Sequence, residues 1–258
     1  MVVRVINESL YPERIEYRNL SPYLTGTHRQ VFPYIFARAP WAEFFWNILM
    51  GTGFDDEYDV DAKLFPVALM DVWPKAVIVD AQGGERPLCT GPVVTLLSPQ
   101  TADKPSWLTP KLLFAVLLII TVIISLTEYF RGRSVVGKIL DALLLTVETF
   151  FGLVILYLLL FSNQVATSWN WLLFVFSPLP LVLWLSFRRH QEYYYVYPCY
   201  IIILLSFCIF SPFIPQMQYG ALTLLLLSMA VRCLFLWHHH LVIINNKFII
   251  KQKNKQKS

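Results

Sequence analysis

Cysteine is scarce in this chain. Cys89, Cys199, Cys208 and Cys233 are the only four among 258 residues, and none falls in a C-x-x-C or zinc-ligand spacing. Three of them lie in apolar runs, where a free thiol behaves as a small hydrophobe. G-x-S-x-G, H-E-x-x-H and a phosphate loop are all absent, so no hydrolase, zinc-protease or nucleotide motif is on offer. No metal and no cofactor is expected. Charge is sparse too, with Asp, Glu, Lys and Arg making up 15% of the chain. No signal peptide opens it: Met1-Val2-Val3-Arg4-Val5-Ile6 is too short for a signal core and runs at once into Asn7-Glu8-Ser9.

What is present is apolar. Hydrophobic residues make up 56% and aromatic residues 16%, with a mean hydropathy of +0.53. That composition excludes an ordinary soluble domain and fits an integral membrane protein with an extramembrane part. The net charge of +4 comes largely from the basic C-terminal tail, so nucleic acid is not an expected partner, whereas membrane lipids are.

Five apolar runs suit membrane spans, at 112–130, 139–161, 169–187, 194–214 and 217–237, each close to the ~20 residues that cross ~30 Å of hydrocarbon. Lys and Arg cluster in alternate loops: Arg131, Arg133 and Lys138, then Arg188 and Arg189, then Lys247 to Lys257. The loops 162–168 and 215–216 hold none. The bias puts the N-terminus outside and the C-terminus inside. Tyr193, Tyr194, Tyr195, Tyr197 and Tyr200 would then form a belt at the cytoplasmic face. About 110 polar residues precede the first span, and exporting them calls for a leader. The expectation is that this chain is the C-terminal part of a longer exported protein or has a misplaced start, with translocation of a free N-terminal tail as the alternative.

Residues 1–110 read as an extracytoplasmic α+β segment. Val2, Val3, Ile6 and Leu10 suit a short helix ending near Pro12. Trp41, Phe44, Phe45, Ile48 and Leu49 fall at helical spacing between Pro40 and Gly51. That helix packs in a core or lies against the membrane. Asp55, Asp56, Glu57, Asp59 and Asp61 make a solvated loop without EF-hand spacing. Residues 76–79 and 86–89 flank Gly83-Gly84 as a hairpin, with Pro87 marking an edge strand.

Asp141 and Glu148 sit in the second apolar run and share a helix face continued by Gly152. Glu148 lies roughly 14 Å from the span's start, near mid-bilayer. Carboxylates at such depth need a partner or a purpose. Arg232, at a depth similar to Asp141, is the expected partner of Asp141. Helix-packing and substrate-handling roles both remain open. Pro178, Pro180, Pro198 and Pro212 are candidate helix breaks, and His238-His239-His240 reads as an interfacial run rather than a metal site. Nothing orients His28 and Cys89 toward each other, so no catalytic residue is assigned.

Two regions carry a resemblance. Thr27-His28-Arg29-Gln30, Pro40-Trp41, Ile48-Leu49-Met50-Gly51, Asp55 or Asp56, and Phe65-Pro66 with Leu69 form the first. Asp141, Gly152-Leu153, Ala166-Thr167, Asn170 and Pro178-Leu179 form the second. In this order they resemble the Lnb-type bacterial lipoprotein N-acyltransferase family over about residues 1–235. Gln164 stands where the family has His, and Ser177 where it has Asn. The resemblance implies acyl transfer through an acyl-Cys thioester to the N-terminal amine of a lipoprotein. It also implies that the family's G-H-S and D-N-C segments precede the matched region, so the nucleophile and its base are expected outside this chain.

The expected architecture is mainly α, a polytopic protein of the bacterial inner membrane with about five transmembrane helices. It has a periplasmic segment at 1–110, a transmembrane domain at 111–240 and a basic cytoplasmic tail at 241–258. Gln164, Trp169, Asn170 and Trp171 are the lipid-facing candidates, and lipoproteins are candidate substrates. A non-catalytic membrane scaffold and a proton-linked transporter using Glu148 are the alternatives.

Overall fold

The computed structural model describes residues 2–18, 26–56, 72–91, 94, 107–177, 196–217 and 220–255. Contacts divide the chain into two units, Met1–Glu43 with Phe54–Ser106, and Phe44–Gly53 with Trp107–Ser258. Phe44–Gly53 groups with the long helices.

In chain order the first unit begins with α1 (Val2–Leu10) and strand β1 (Arg14–Glu16). A 3-10 turn at His28–Val31 leads into the short α2 (Phe32–Ile35), and α3 (Pro40–Leu49) follows, passing into the second unit at Phe44. The expected hairpin is present as β2 (Val77–Val79) and β3 (Glu85–Pro87). Gly83 turns it at φ 86°, a backbone angle that favours glycine. The Asp80 carboxylate accepts from the backbone N–H groups of Gln82 and Gly84 at 2.9 and 2.7 Å, fixing the turn. The sheet order is β1-β2-β3, antiparallel throughout, with Ile15 opposite Ile78 and Ile78 opposite Arg86. Pro87 therefore lies on an edge strand, where its missing N–H costs no ladder bond. Strand β1, at the other edge, was not legible in the sequence, since Arg14-Ile15-Glu16 is too short to show alternation.

The second unit is built on α4 (Pro110–Arg131), α5 (Val135–Phe161), α6 (Val196–Ile209) and α7 (Ala221–Lys255). Thr109 caps α4 by accepting from the Leu112 N–H, and Pro110 fits the first position. Gly132 ends α4 at φ 84°, and the Ser134 hydroxyl starts α5 by accepting from the Gly137 N–H at 2.9 Å. Helix α7 packs along both α4 and α6, and Leu204, Leu222, Leu225 and Leu226 are buried.

Among the described residues three helices are long and apolar enough to cross a membrane, Pro110–Arg131, Val135–Phe161 and Ala221–Asn245. The other two expected spans differ. Among the described residues of the run at 194–214 the helix covers Val196–Ile209 and stops there, because the residue before Pro212 disfavours helix. The run at 169–187 starts as a 3-10 turn, Trp171–Phe174, and leaves helical geometry at Val175–Ser177 ahead of Pro178. The rest of that run, with Pro178 and Pro180, lies outside the described residues, as do Tyr193 to Tyr195, Glu57, Asp59 and Asp61. Pro198 does not break α6; it sits in the first turn, where no intrahelical N–H is needed. The basic tail continues α7 to Lys255, since no Gly or Pro follows Gly220 to stop it.

Candidate functional site

The loop after α5 holds the four lipid-facing candidates, and the structure separates them. Gln164 is exposed, and Trp169 and Trp171 are 43% and 45% exposed. Asn170, between the two tryptophans, is 2% exposed. Its Nδ2 donates to the Ile48 carbonyl at 2.8 Å and its Oδ1 accepts from the Leu172 N–H at 2.9 Å. One amide thus caps the Trp171–Phe174 turn and holds the end of α3. Asn170 is a tie inside the unit and not a surface group.

The same place gathers a second amide that the sequence did not single out. Gln216 is fully buried, and its Nε2 donates to the Met50 carbonyl at 2.8 Å. Backbone bonds complete the seam: Gly51 N–H to Ala166 O at 2.9 Å, Thr52 N–H to Trp169 O at 2.7 Å, and Gly53 N–H to the Ser168 hydroxyl at 2.8 Å. Gly51 and Gly53 permit this approach, since a Cβ on either would meet backbone oxygen at 2.3 and 2.0 Å. Two sequence motifs of the resemblance, Leu49-Met50-Gly51 and Ala166-Thr167 with Asn170, therefore meet in space. The outward face of the loop is aromatic and uncharged. Trp169 packs edge-on to Trp171 at 5.7 Å, and Trp171 stacks on Phe174 at 6.2 Å. Such rings suit a membrane–water boundary.

Glu148 lies halfway along α5 and is 4% exposed. The Tyr200 hydroxyl is 2.6 Å from Glu148 Oε1 and 2.8 Å from the Val175 carbonyl. Tyr200 thus leaves the expected cytoplasmic belt and binds at mid-helix. The Val175 carbonyl is one that the break after Phe174 would otherwise leave unpaired. Gly152, one turn along α5, lets the Phe176 carbonyl pass where a Cβ would stand 2.0 Å from it.

At the other end of α5 the expected pair is present and belongs to a larger cluster. Arg232 Nε donates to Asp141 Oδ1 at 2.6 Å. Its Nη1 donates to Glu128 Oε2 and to the Ser125 hydroxyl, both at 3.0 Å, and its Nη2 to the Gly137 carbonyl at 3.3 Å. Arg133 closes the group on Asp141 Oδ2 at 2.8 Å, and Ser134 donates twice to Glu128 Oε1. Two cations face two carboxylates across α4, α5 and α7, so the buried charges balance. Glu128 was missed, although a carboxylate in the last turn of an apolar helix is a signal for it.

In the first unit, Arg29 Nε meets Asp55 Oδ1 at 2.6 Å, with the guanidinium almost wholly buried. A His28 ring nitrogen lies 3.2 Å from the Asp56 carbonyl. The Thr27-to-Gln30 motif and the aspartates after Phe54 are thereby structural partners. Cys89 is exposed, and the rings of His238, His239 and His240 pack on Tyr129, Phe235 and Tyr197. Among the described residues no group of His, Cys, Asp and Glu could hold a metal.

No curated protein and no solved structure matches the chain. Residues 102–251, more than half of it, match the family model described as the Lnb transmembrane domain. That region carries α4 to α7, the Arg232 cluster and the aromatic loop. This is a multi-pass membrane protein, and the chain belongs to the Lnb transmembrane domain family.

Proposed function

We propose that the chain supplies the membrane part of an Lnb-type lipoprotein N-acyltransferase. The family match over residues 102–251 carries this reading. In it, five segments cross the bacterial inner membrane, with the N-terminus periplasmic and the C-terminus cytoplasmic. The Lys and Arg bias of the loops supports that orientation.

The chemistry to be served is attack of a lipoprotein's N-terminal amine on a thioester carbonyl. A C–N bond forms, the C–S bond breaks, and the thiolate takes up the amine's proton. No residue of this chain is assigned the nucleophile's role. Its part is to present a lipidated substrate at the bilayer edge, with Gln164, Trp169 and Trp171 as the contacts. Asn170 holds those rings from behind.

Photo-crosslinking tests this. A photoreactive residue replacing Trp171, in the full chain in vesicles, is expected to capture a synthetic diacylglyceryl-cysteine lipopeptide. Unlabelled lipopeptide should compete, and phosphatidylethanolamine of the same chain length should not. Equal competition by both overturns the reading.

A non-catalytic scaffold is the second reading. The Arg29–Asp55 and Asn170–Ile48 ties favour it, because motif residues there serve structure. It predicts that Gln164→Ala and Trp171→Ala leave every property of the assembled protein unchanged.

A further inference from the structure

We propose that Phe44–Gly53 is a membrane-inserted, re-entrant element whose exposed face, Phe45 and Trp46, contacts lipid acyl chains. Helix α5 has 27 residues, about 40 Å against about 30 Å of hydrocarbon, so the residue halfway along lies near the bilayer midplane. That residue is Glu148. Phe151 is about 4.5 Å further toward the Phe161 end, and helical side chains lean back toward the N-terminus, which brings its ring closer to the midplane. The Phe45 ring stacks on Phe151 with centroids 6.0 Å apart. Phe45 therefore lies within roughly 10 Å of the midplane, inside a hydrocarbon half-thickness of about 15 Å. Phe44 agrees, since its ring lies 5.1 Å from Phe114, one turn inside the Pro110 end of α4.

The backbone supplies independent support. Where a helix ends in hydrocarbon, no water can satisfy its last carbonyls or the N–H groups beyond. Here protein groups do so for the last carbonyls, Asn170 on Ile48 and Gln216 on Met50, and the segment beyond them is tied to the boundary loop by Ala166, Trp169 and Ser168 on Gly51, Thr52 and Gly53. Ile48 and Met50 are buried, while Phe45 and Trp46 remain 42% and 43% exposed. Two large apolar side chains at that depth meet acyl chains. The family model starts at residue 102 and does not include this segment. The inference does not rest on the acyltransferase reading.

The test places a nitroxide at Trp46→Cys in the full chain, with Cys89, Cys199, Cys208 and Cys233 replaced by alanine, in phosphatidylethanolamine–phosphatidylglycerol vesicles. Expected is frequent collision with oxygen and loss of collision with a water-soluble nickel chelate, relative to a label at Gln82→Cys in the exposed hairpin turn. Chelate collisions at Trp46 equal to those at Gln82 overturn the proposal. With the native cysteines kept, a diazirine residue at Phe45 should capture alkyne-tagged phospholipid acyl chains, and one at Gln82 should not. Failure of capture at Phe45 overturns it as well.

Discussion

Arg232 on α7 donates through Nε to Asp141 Oδ1 on α5 at 2.6 Å, and both groups share their partners with Glu128 and Arg133. Removing the arginine leaves two carboxylates against one cation. Arg232→Ala should cost about 3–5 kcal/mol, the usual penalty for stranding a buried charge. Adding Asp141→Asn restores the balance and should recover part of the loss. Thermal unfolding in detergent and the level of protein in the membrane both report it. A double variant no better than the single one would show that the charges do not act as a set.

The Tyr200 hydroxyl has one proton and two oxygen neighbours, Glu148 Oε1 at 2.6 Å and Val175 O at 2.8 Å. The hydrogen-bond count closes when Glu148 carries a proton and donates to Tyr200, which donates to Val175. Glu148→Gln keeps a donor and should be nearly neutral. Tyr200→Phe should cost about 1–3 kcal/mol, because it leaves both partners unpaired. Unfolding midpoints separate the two variants. A Glu148→Gln change as damaging as Tyr200→Phe would mean an ionised carboxylate.

Gly152→Ala would put a Cβ 2.0 Å from the Phe176 carbonyl, a backbone atom that cannot swing aside. Overpacking of this kind costs about 1–3 kcal/mol. Gly220 has nothing within 4 Å of a built Cβ, so Gly220→Ala is the matched control and should be neutral. Equal melting temperatures for the two alanine variants would refute the close approach.

Asn170→Ala and Gln216→Ala each strand a buried carbonyl and should each cost about 1–3 kcal/mol. They hold the same short segment, so the pair should be non-additive in a double-mutant cycle. Gln164→Ala, at an exposed position, should leave stability unchanged. Strict additivity would indicate that Phe44–Gly53 is not held as one piece.

The membrane character of this chain was legible because hydropathy along single runs encodes it. Helices α4 and α5 appeared within a few residues of their places, and Pro40 marked the start of α3. The Asp141–Arg232 pair was legible because both charges are costly where they lie. Other features depend on distant parts of the chain. Asn170 looked like a surface group because flanking tryptophans suggested an edge. The Ile48 carbonyl that it binds stands 122 residues earlier. Gln216 drew no notice in a short loop between apolar runs. Tyr200 was grouped with neighbouring tyrosines by composition, yet a carbonyl freed by the break after Phe174 decides its place. Local pattern shows which groups are expensive to bury, and only the fold shows what settles them.

The seam around Phe44–Gly53 also sets an order of events during biosynthesis. Its two side-chain ties reach forward 122 and 166 residues, from Ile48 to Asn170 and from Met50 to Gln216. Neither bond can form until the ribosome has made the later partner. Helices α4 and α5 are complete by then, and the early segment has stayed without its partners. The first-made part of the membrane unit is therefore fully tied only once α4, α5 and α6 have all been made.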